Sequence, residues 1–361
     1  MVQRENHCRI NFLNPRINPR RTSRRGFLKK AAPVAIAGLA AANSGCIVLP
    51  LVGEALGAKP SKGLDSVVGL LPPTPKLPNM RQDIDLLLDY FEQLDLYTQQ
   101  NVRSVLFEWY PLTSFVNSSR NPFMPSSTDL DSIKKMVFPI VRSDGAYGSG
   151  VLITPNHVLS AAHVVNDLPL NQSFLQVAQD RNGGYVDIPF THAIIRNDLD
   201  LAVLRLSPEY TITEFGNEPL KPLATLSARL PASFSSVYLF GYPPGGFESR
   251  ALLMLRSKVA QNSASSDSFS FLSFGEENVI SGTRAGYSPG QRVALVGSSG
   301  GPVVDSSGTI LGIQSRGPED EPYSIAMGPE RIRITVIDYL IDHIAPKIRE
   351  LANQIRSRLG Q

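Results

Sequence analysis

Cysteine is almost missing from this chain. Only Cys8 and Cys46 are cysteine among 361 residues, and both lie near the N-terminus. No disulfide can therefore brace the body of the protein, whatever the redox compartment. Histidine is sparse as well, with five residues. No His/Cys cluster has the spacing of metal ligands, so no metal and no cofactor is expected. Basic charge also runs short once the N-terminus is passed. Residues 1–30 hold nine Arg/Lys and one Glu, which leaves 26 basic and 31 acidic residues for the rest. The basic pI thus belongs to the N-terminal segment, and the body gives no reason to expect nucleic acid as a partner. Internal repeats are not evident.

The basic segment has an order of its own. Ser23 to Lys30 read SRRGFLKK, and the mildly apolar AAPVAIAGLAAA follows. Arg24 and Arg25, then Phe27, Leu28 and Lys29, resemble the twin-arginine signal peptide of bacteria. Its physical logic is a cationic stretch held on one membrane face while an apolar stretch enters the bilayer. The resemblance implies export in a folded state, to the periplasm or cell envelope or beyond. Three fates of the segment stay open. NSGC ends at Cys46 and resembles a lipobox, although Asn43 stands where an aliphatic residue is usual, so Cys46 is a candidate for lipidation. Ala55-Leu56-Gly57 forms a peptidase-like site before Ala58. Without cleavage, the 26 residues from Ala31 to Leu56 would suffice to span a bilayer and attach the chain through its N-terminus.

Residues 1–57 are accordingly read as a signal or anchor segment. Residues 58–78, rich in Pro, Gly, Lys and Ser, read as a linker. From Met80 to Phe107, Ile84, Leu87, Leu88, Phe91, Leu94 and Leu96 recur at mostly helical spacing, so 79–135 is expected to hold one or two helices and a second linker. Beyond Lys135 short apolar runs alternate with turn residues. About a dozen short strands with few helices between them predict an all-β domain over 136–345, as an antiparallel barrel or sandwich pair. Ile337, Leu340, Ile341 and Ile344 then mark an amphipathic helix, interrupted near Pro346. Residues 346–361 complete that C-terminal helix.

Chemistry concentrates in VGSSGGPVVD, residues 296–305. Two motifs overlap there. G-x-S-x-G is the nucleophile elbow, a strand-to-helix turn followed in sequence by an acid and then a His. Here Pro302, Val303 and Val304 follow, which reads as turn into strand, and His343 alone lies downstream among histidines. The other reading, G-x-S-G-G-P, needs a His and an Asp upstream. LSAAHVV supplies His163 just after a strand, and NDLDLAVLRL supplies Asp200 at the head of another, with Ala202 and Leu204 alternating inward. Asp198 competes with Asp200, but only Asp200 begins D-x-A-x-L. His157, His192 and His343 read as ordinary packed or turn residues.

These three segments, in the order His, Asp, Ser, resemble those of the trypsin-like serine proteases. The resemblance covers roughly residues 136–345. It implies two antiparallel six-stranded β-barrels of the chymotrypsin type, about 136–225 and 226–335, with a helical extension before them and a helix after. It implies a polypeptide substrate and a serine endopeptidase activity. His163 would be the general base, Asp200 its orienting carboxylate and Ser299 the nucleophile. The backbone N–H groups of Gly297 and Ser299 would form the oxyanion hole. Two readings of another kind stay open: a catalytically silent, envelope-anchored binding module on the same fold, and an esterase with the same triad.

Ser298 stands where digestive members carry an Asp that pairs with a freshly cut N-terminus, so activation by such cleavage is not implied. The absent disulfides point toward bacterial members resembling the HtrA group. The resemblance also places three walls around the substrate side chain. Val293 stands where members preferring Lys or Arg carry an Asp; Ser315-Arg316-Gly317 form the second wall. PERIRITV is read as a strand forming the third, with Arg331 and Arg333 on one face. Small or medium apolar side chains are expected there, or acidic ones if that arginine face looks inward.

Overall fold

The computed structural model describes residues 80–118, 129–166, 169–178, 185–207, 223–242, 252–262, 267–272, 277–280, 297–315 and 323–360. The twin-arginine-like segment, Cys46, the 58–78 linker, Val293 and Gly317 lie outside them. Among the described residues, no helix is long and apolar enough to cross a membrane.

Six strands close the first barrel: β1 (Val137–Arg142), β2 (Tyr147–Thr154), β3 (His157–Ser160), β4 (Ser173–Ala178), β5 (Tyr185–Arg196) and β6 (Leu201–Leu206), in the order β1-β2-β3-β6-β5-β4. The apolar runs seen in the sequence are the reason. Val151, Leu152 and Ile153 are each fully buried, and β2 is covered on both faces. Strand β6 is likewise buried at Leu201, Ala202, Val203 and Leu204, so Ala202 and Leu204 do lie inside but do not alternate with exposed neighbours. Register then does the positioning. In β3 against β6, Ser160 pairs with Ala202. The end of β3 and the start of β6 therefore meet at one rim, which is how His163 and Asp200 come together.

The second barrel contains β7 (Ser236–Gly241), β8 (Leu253–Asn262), β9 (Ser268–Leu272), β10 (Glu277–Ile280), β11 (Pro302–Val304), β12 (Ile310–Gln314) and β13 (Tyr323–Met327). Pairing of β8 with β9 closes six of them into a ring, and β10 adds a seventh strand along β8. The two expected six-stranded barrels are present, the second with this extra strand. Its core is built on Val237, Leu239, Leu255, Phe269, Phe271 and Val303.

Among the described residues the chain divides into two units. The first runs through both barrels to Tyr339, and the second holds the helices up to Thr113 and everything from Leu340. In the second unit, α1 (Met80–Asp89) packs on α6 (Ala345–Arg358). The apolar periodicity explains the packing: Ile84, Leu87, Leu88, Phe91 and Leu94 are buried, whereas Leu96 is 68% exposed. Buried Asp83 pairs with Arg356 within this unit. Helix α2 (Leu96–Asn117) outruns the apolar repeat that ends at Phe107 and continues through Pro111. An internal proline disrupts a helix by about 3 kcal/mol, and burial of Trp109, Leu112 and Phe115 offsets it.

Helix α3 (Leu130–Met136) leads into β1, capped by Asp129, whose side chain accepts from the Ser132 N–H at 2.7 Å. A short α4 (Ala162–Val165) follows β3. PERIRITV is not a strand: it opens α5 (Pro329–Tyr339). Pro329 suits the first helical turn and Glu330 favours it electrostatically, and these start signals outweigh the alternation of Ile and Arg. A π-helical turn, Leu340–Ile344, joins α5 to α6, and Pro346 lies at the start of α6.

Candidate active site

Three chain segments meet at the rim of the first barrel. The first is the turn that ends β3, where Ala161 precedes α4 and His163 occupies its first turn. The second is the tight turn from Arg196 to Asp200, closed by Leu199 N–H to the Arg196 carbonyl at 3.1 Å. Asp200 has φ of 49°, a left-handed conformation that Asp tolerates better than most side chains. The third is the hairpin of β11 and β12, whose open end carries Ser299 on one arm and Ser315 on the other.

His163 and Asp200 are in contact, as the sequence predicted. The His163 Nδ1 lies 2.9 Å from both carboxylate oxygens, and the His163 backbone N–H donates to Oδ1 at 3.1 Å. With Nδ1–H donated to a carboxylate, Nε2 keeps the lone pair that a base requires. Ser315 Oγ also donates to Asp200 Oδ2. This contact was not foreseen, since Ser315 was expected only as a pocket wall; the S-x-G pattern itself gave no signal of it. Burial on its own raises the Asp200 carboxyl. The hydrogen bonds from His163 and Ser315, the attraction of the imidazole and the His163 N–H together outweigh it and hold the group below the usual carboxylate range.

The loop that carries Ser299 is pinned from both barrels. Gly300 N–H donates to the Gln314 carbonyl at 2.8 Å and Gln314 N–H to the Gly301 carbonyl at 2.9 Å. The hairpin turn beyond is fastened by Asp305, whose Oδ1 accepts from Ser307 N–H at 2.8 Å and Thr309 N–H at 3.0 Å. From the first barrel, Ser149 N–H donates to the Ser299 carbonyl at 2.8 Å. The concentration of glycine has a steric cause. Gly300 has φ of +84°, and a Cβ there would lie 2.2 Å from the Ser149 carbonyl oxygen and 3.0 Å from Ala161 N. The loop therefore backs directly onto the residues just before His163. A Cβ on Gly301 would lie 1.9 Å from the Phe240 carbonyl oxygen.

Gly297 has φ of +89°. Among the described residues, neither its N–H nor that of Ser299 donates a hydrogen bond. Ser298 is fully buried, and among the described residues its Oγ has no hydrogen-bond partner. The remaining histidines stand apart from this cluster. His157 is buried in β3, with Nδ1 2.8 Å from Thr154 Oγ1 and its ring edge-on to Tyr339. Asp198 pairs with Arg196 at 2.8 Å, which removes it as a rival to Asp200.

The arginine wall is not present as expected. Arg333 is buried in α5, where its guanidinium donates to the carbonyls of Val116 and Ser227 and to Glu330. Arg331 reaches back to Met327 Sδ at 3.2 Å. A helix does not place residues two apart on one face, so the shared arginine face does not form.

Residues 148–313 match the family described as trypsin-like peptidase domain. No curated protein matches the chain. Among solved structures it is similar to the active form of the Rv3671c protease from M. tuberculosis, with 15% identity and a TM-score of 0.41 over 60% of this chain and 86% of that one. It is also similar to a serine endoprotease from Yersinia pestis, with 20% identity and a TM-score of 0.41 over 59% of this chain and 65% of that one. A scabies mite inactivated protease paralogue aligns with 18% identity and a TM-score of 0.43 over 59% of this chain and 97% of that one. The match to the trypsin-like peptidase domain spans the stretch that bears His163, Asp200 and Ser299.

Proposed function

We propose that the chain is an exported serine endopeptidase that works through His163, Asp200 and Ser299. Ser299 Oγ attacks the scissile carbonyl while His163 Nε2 takes its proton. The oxyanion that forms is met by the N–H groups of Gly297 and Ser299. Collapse breaks the C–N bond, and His163 returns the proton to the leaving amine. Water then repeats the cycle on the acyl-enzyme, releasing the acid and restoring Ser299. Asp200 fixes the imidazole tautomer and stabilises the imidazolium between the steps.

The observation that carries this reading is the grip of Asp200 on His163, with Ser315 supporting the carboxylate from the second barrel. Labelling by a fluorophosphonate tests it. Wild-type protein should be labelled and should cleave peptides, and Ser299→Ala should do neither. Equal peptide turnover by Ser299→Ala would remove the assignment. Turnover of esters without peptides would assign an esterase, and absence of labelling in the wild type would assign a silent binding module.

The export part of the proposal rests on Arg24 and Arg25 before the apolar segment. Changing both to Lys should strand the precursor in the cytoplasm; normal envelope delivery would refute the route. Incorporation of radiolabelled palmitate, lost in Cys46→Ala, would establish a lipid anchor.

A further inference from the structure

Ser149 on β2 touches the nucleophile loop twice, once with its backbone and once with its side chain. Its N–H donates to the Ser299 carbonyl at 2.8 Å, and its Oγ donates to the Gly297 carbonyl at 2.7 Å. The same Oγ accepts from Tyr242 N–H at 2.9 Å, and the Ser149 carbonyl accepts from Ser160 Oγ at 2.8 Å. The residue is fully buried. Its side chain is thus a buried link between the first barrel and a backbone carbonyl within the nucleophile loop of the second.

The loop has reason to need that link. Gly297 is permissive at φ, so the chain itself offers little resistance to rotation of the peptides on either side of it. Peptide planes are rigid, so a carbonyl that is held also fixes the rest of its plane. Ser149 Oγ holds the plane between Gly297 and Ser298. Gly301 N–H holds the next plane through the Ser298 carbonyl at 2.9 Å, and so aims the Ser299 N–H. Ser149 N–H holds the one after, through the Ser299 carbonyl. With the plane after Gly297 fixed, the two dihedrals of Gly297, φ and ψ, aim the remaining N–H of the hole.

We infer that Ser149 is a positioning residue, whose hydroxyl holds the Gly297 peptide in the orientation that turns the Gly297 and Ser299 N–H groups toward the oxyanion. This rests on the assignment of Ser299 as nucleophile. Replacing the hydroxyl leaves the Gly297 carbonyl free to turn, and the donors lose their preset aim. Such a change acts on the transition state, where negative charge develops, and little on ground-state binding.

The test uses the full chain and peptide substrate, with turnover expressed per active site titrated by the fluorophosphonate. Ser149→Ala should lower kcat about 10- to 50-fold, less than the loss of a hole donor itself, with KM within about 2-fold. A peptide boronate, whose tetrahedral adduct places an oxygen in the hole, should lose affinity by the same factor. A purely structural role would lower Tm and the number of titrated sites but leave kcat per site unchanged, and that result overturns the inference. If Ser149→Ala does not fold, Ser149→Cys keeps the bulk with a weak donor and should show the same kcat loss; wild-type kcat there overturns the inference too. Ser299→Ala run alongside separates the two assignments. If it is inactive while Ser149→Ala keeps kcat, the Ser149 role alone falls. If Ser299→Ala keeps wild-type turnover, the nucleophile assignment falls and takes the Ser149 role with it.

Discussion

The Asp200 carboxylate accepts from His163 at two kinds of donor, the ring Nδ1 at 2.9 Å and the backbone N–H at 3.1 Å. One side chain therefore sets both where the imidazole is anchored and how it is turned. Asp200→Asn keeps the shape but removes the charge and offers an amide N–H to the same nitrogen. It should lower kcat about 10³- to 10⁴-fold near neutral pH with KM little changed. Steady-state kinetics decide it, and a loss under about 10-fold would show that Asp200 does not orient the base.

The same carboxylate should mark the acid limit of stability. Its folded-state pKa lies below its ordinary value despite burial, because the bonds from His163 and Ser315 outweigh desolvation. Ionised Asp200 therefore stabilises the fold above the ordinary value, about 3.9, and the contribution is lost as pH falls through the lower folded value. The Tm difference between wild type and Asp200→Asn should be greatest near pH 7 and shrink in acid below about pH 3.9. A gap that widened in acid would contradict the sign.

Gly301→Ala tests the steric reading of the glycine cluster. The added carbon would lie 1.9 Å from a backbone oxygen, that of Phe240 on β7, which has no rotamer with which to yield. Overpacking of this kind costs about 3 kcal/mol or more. Chemical denaturation should show a loss of that order. A loss below about 0.5 kcal/mol would mean that the loop is free to shift.

Ser298→Ala should go the other way. The buried Ser298 hydroxyl has no partner among the described residues, so removing it removes a desolvation cost of about 1 kcal/mol. Thermal melting should find the variant as stable as wild type or more so. A clear fall in Tm would reveal a bond that the hydroxyl makes.

Substrate preference is narrowed by the helical conformation of Pro329–Tyr339. Arg333 is spent on backbone carbonyls and Glu330, so the one feature that favoured acidic substrate residues is withdrawn. If Val293 lines the pocket as the resemblance implies, a bound Lys or Arg would lack a partner there, at a cost of several kcal/mol. A fluorogenic library varied at the residue before the scissile bond should favour small or medium apolar side chains. Dominant cleavage after Lys, Arg, Asp or Glu would refute this pocket.

What could be read from sequence was whatever is encoded locally. AAH, DLAVL and GSSGGP each carry their chemistry within a few residues, and the apolar runs between turn residues mark most of the strands. What escaped depends on partners far away in the chain. Ser149 sits in YGSGVLIT, where a serine between two glycines reads only as a small residue in a strand. Nothing near it announces a bond across 148 positions to Gly297. Ser315 escaped for the same reason, its bond to Asp200 spanning 115 positions. The misread wall is a different failure. Alternating Ile and Arg in PERIRITV satisfies the strand period, yet Pro329 and Glu330 carry a helix-start signal that the period alone ignores. Helix α2 outran its expected end because deep burial of Trp109 and Phe115 outweighs a proline, and burial is not visible in local spacing.

Those two long spans also set a clock. The ribosome delivers the proposed base and acid first, at positions 163 and 200, and the proposed nucleophile about a hundred residues later. Closing loops of 115 and 148 residues is entropically slow compared with forming the hairpins inside each barrel. A nascent chain that has emerged only as far as the first barrel holds an imidazole and a carboxylate with nothing to activate. The second barrel must then be made and seated before Ser315 reaches Asp200 and Ser149 reaches Gly297. On the proposed function, hydrolytic competence would require both barrels to be in place, and a half-made copy would lack it.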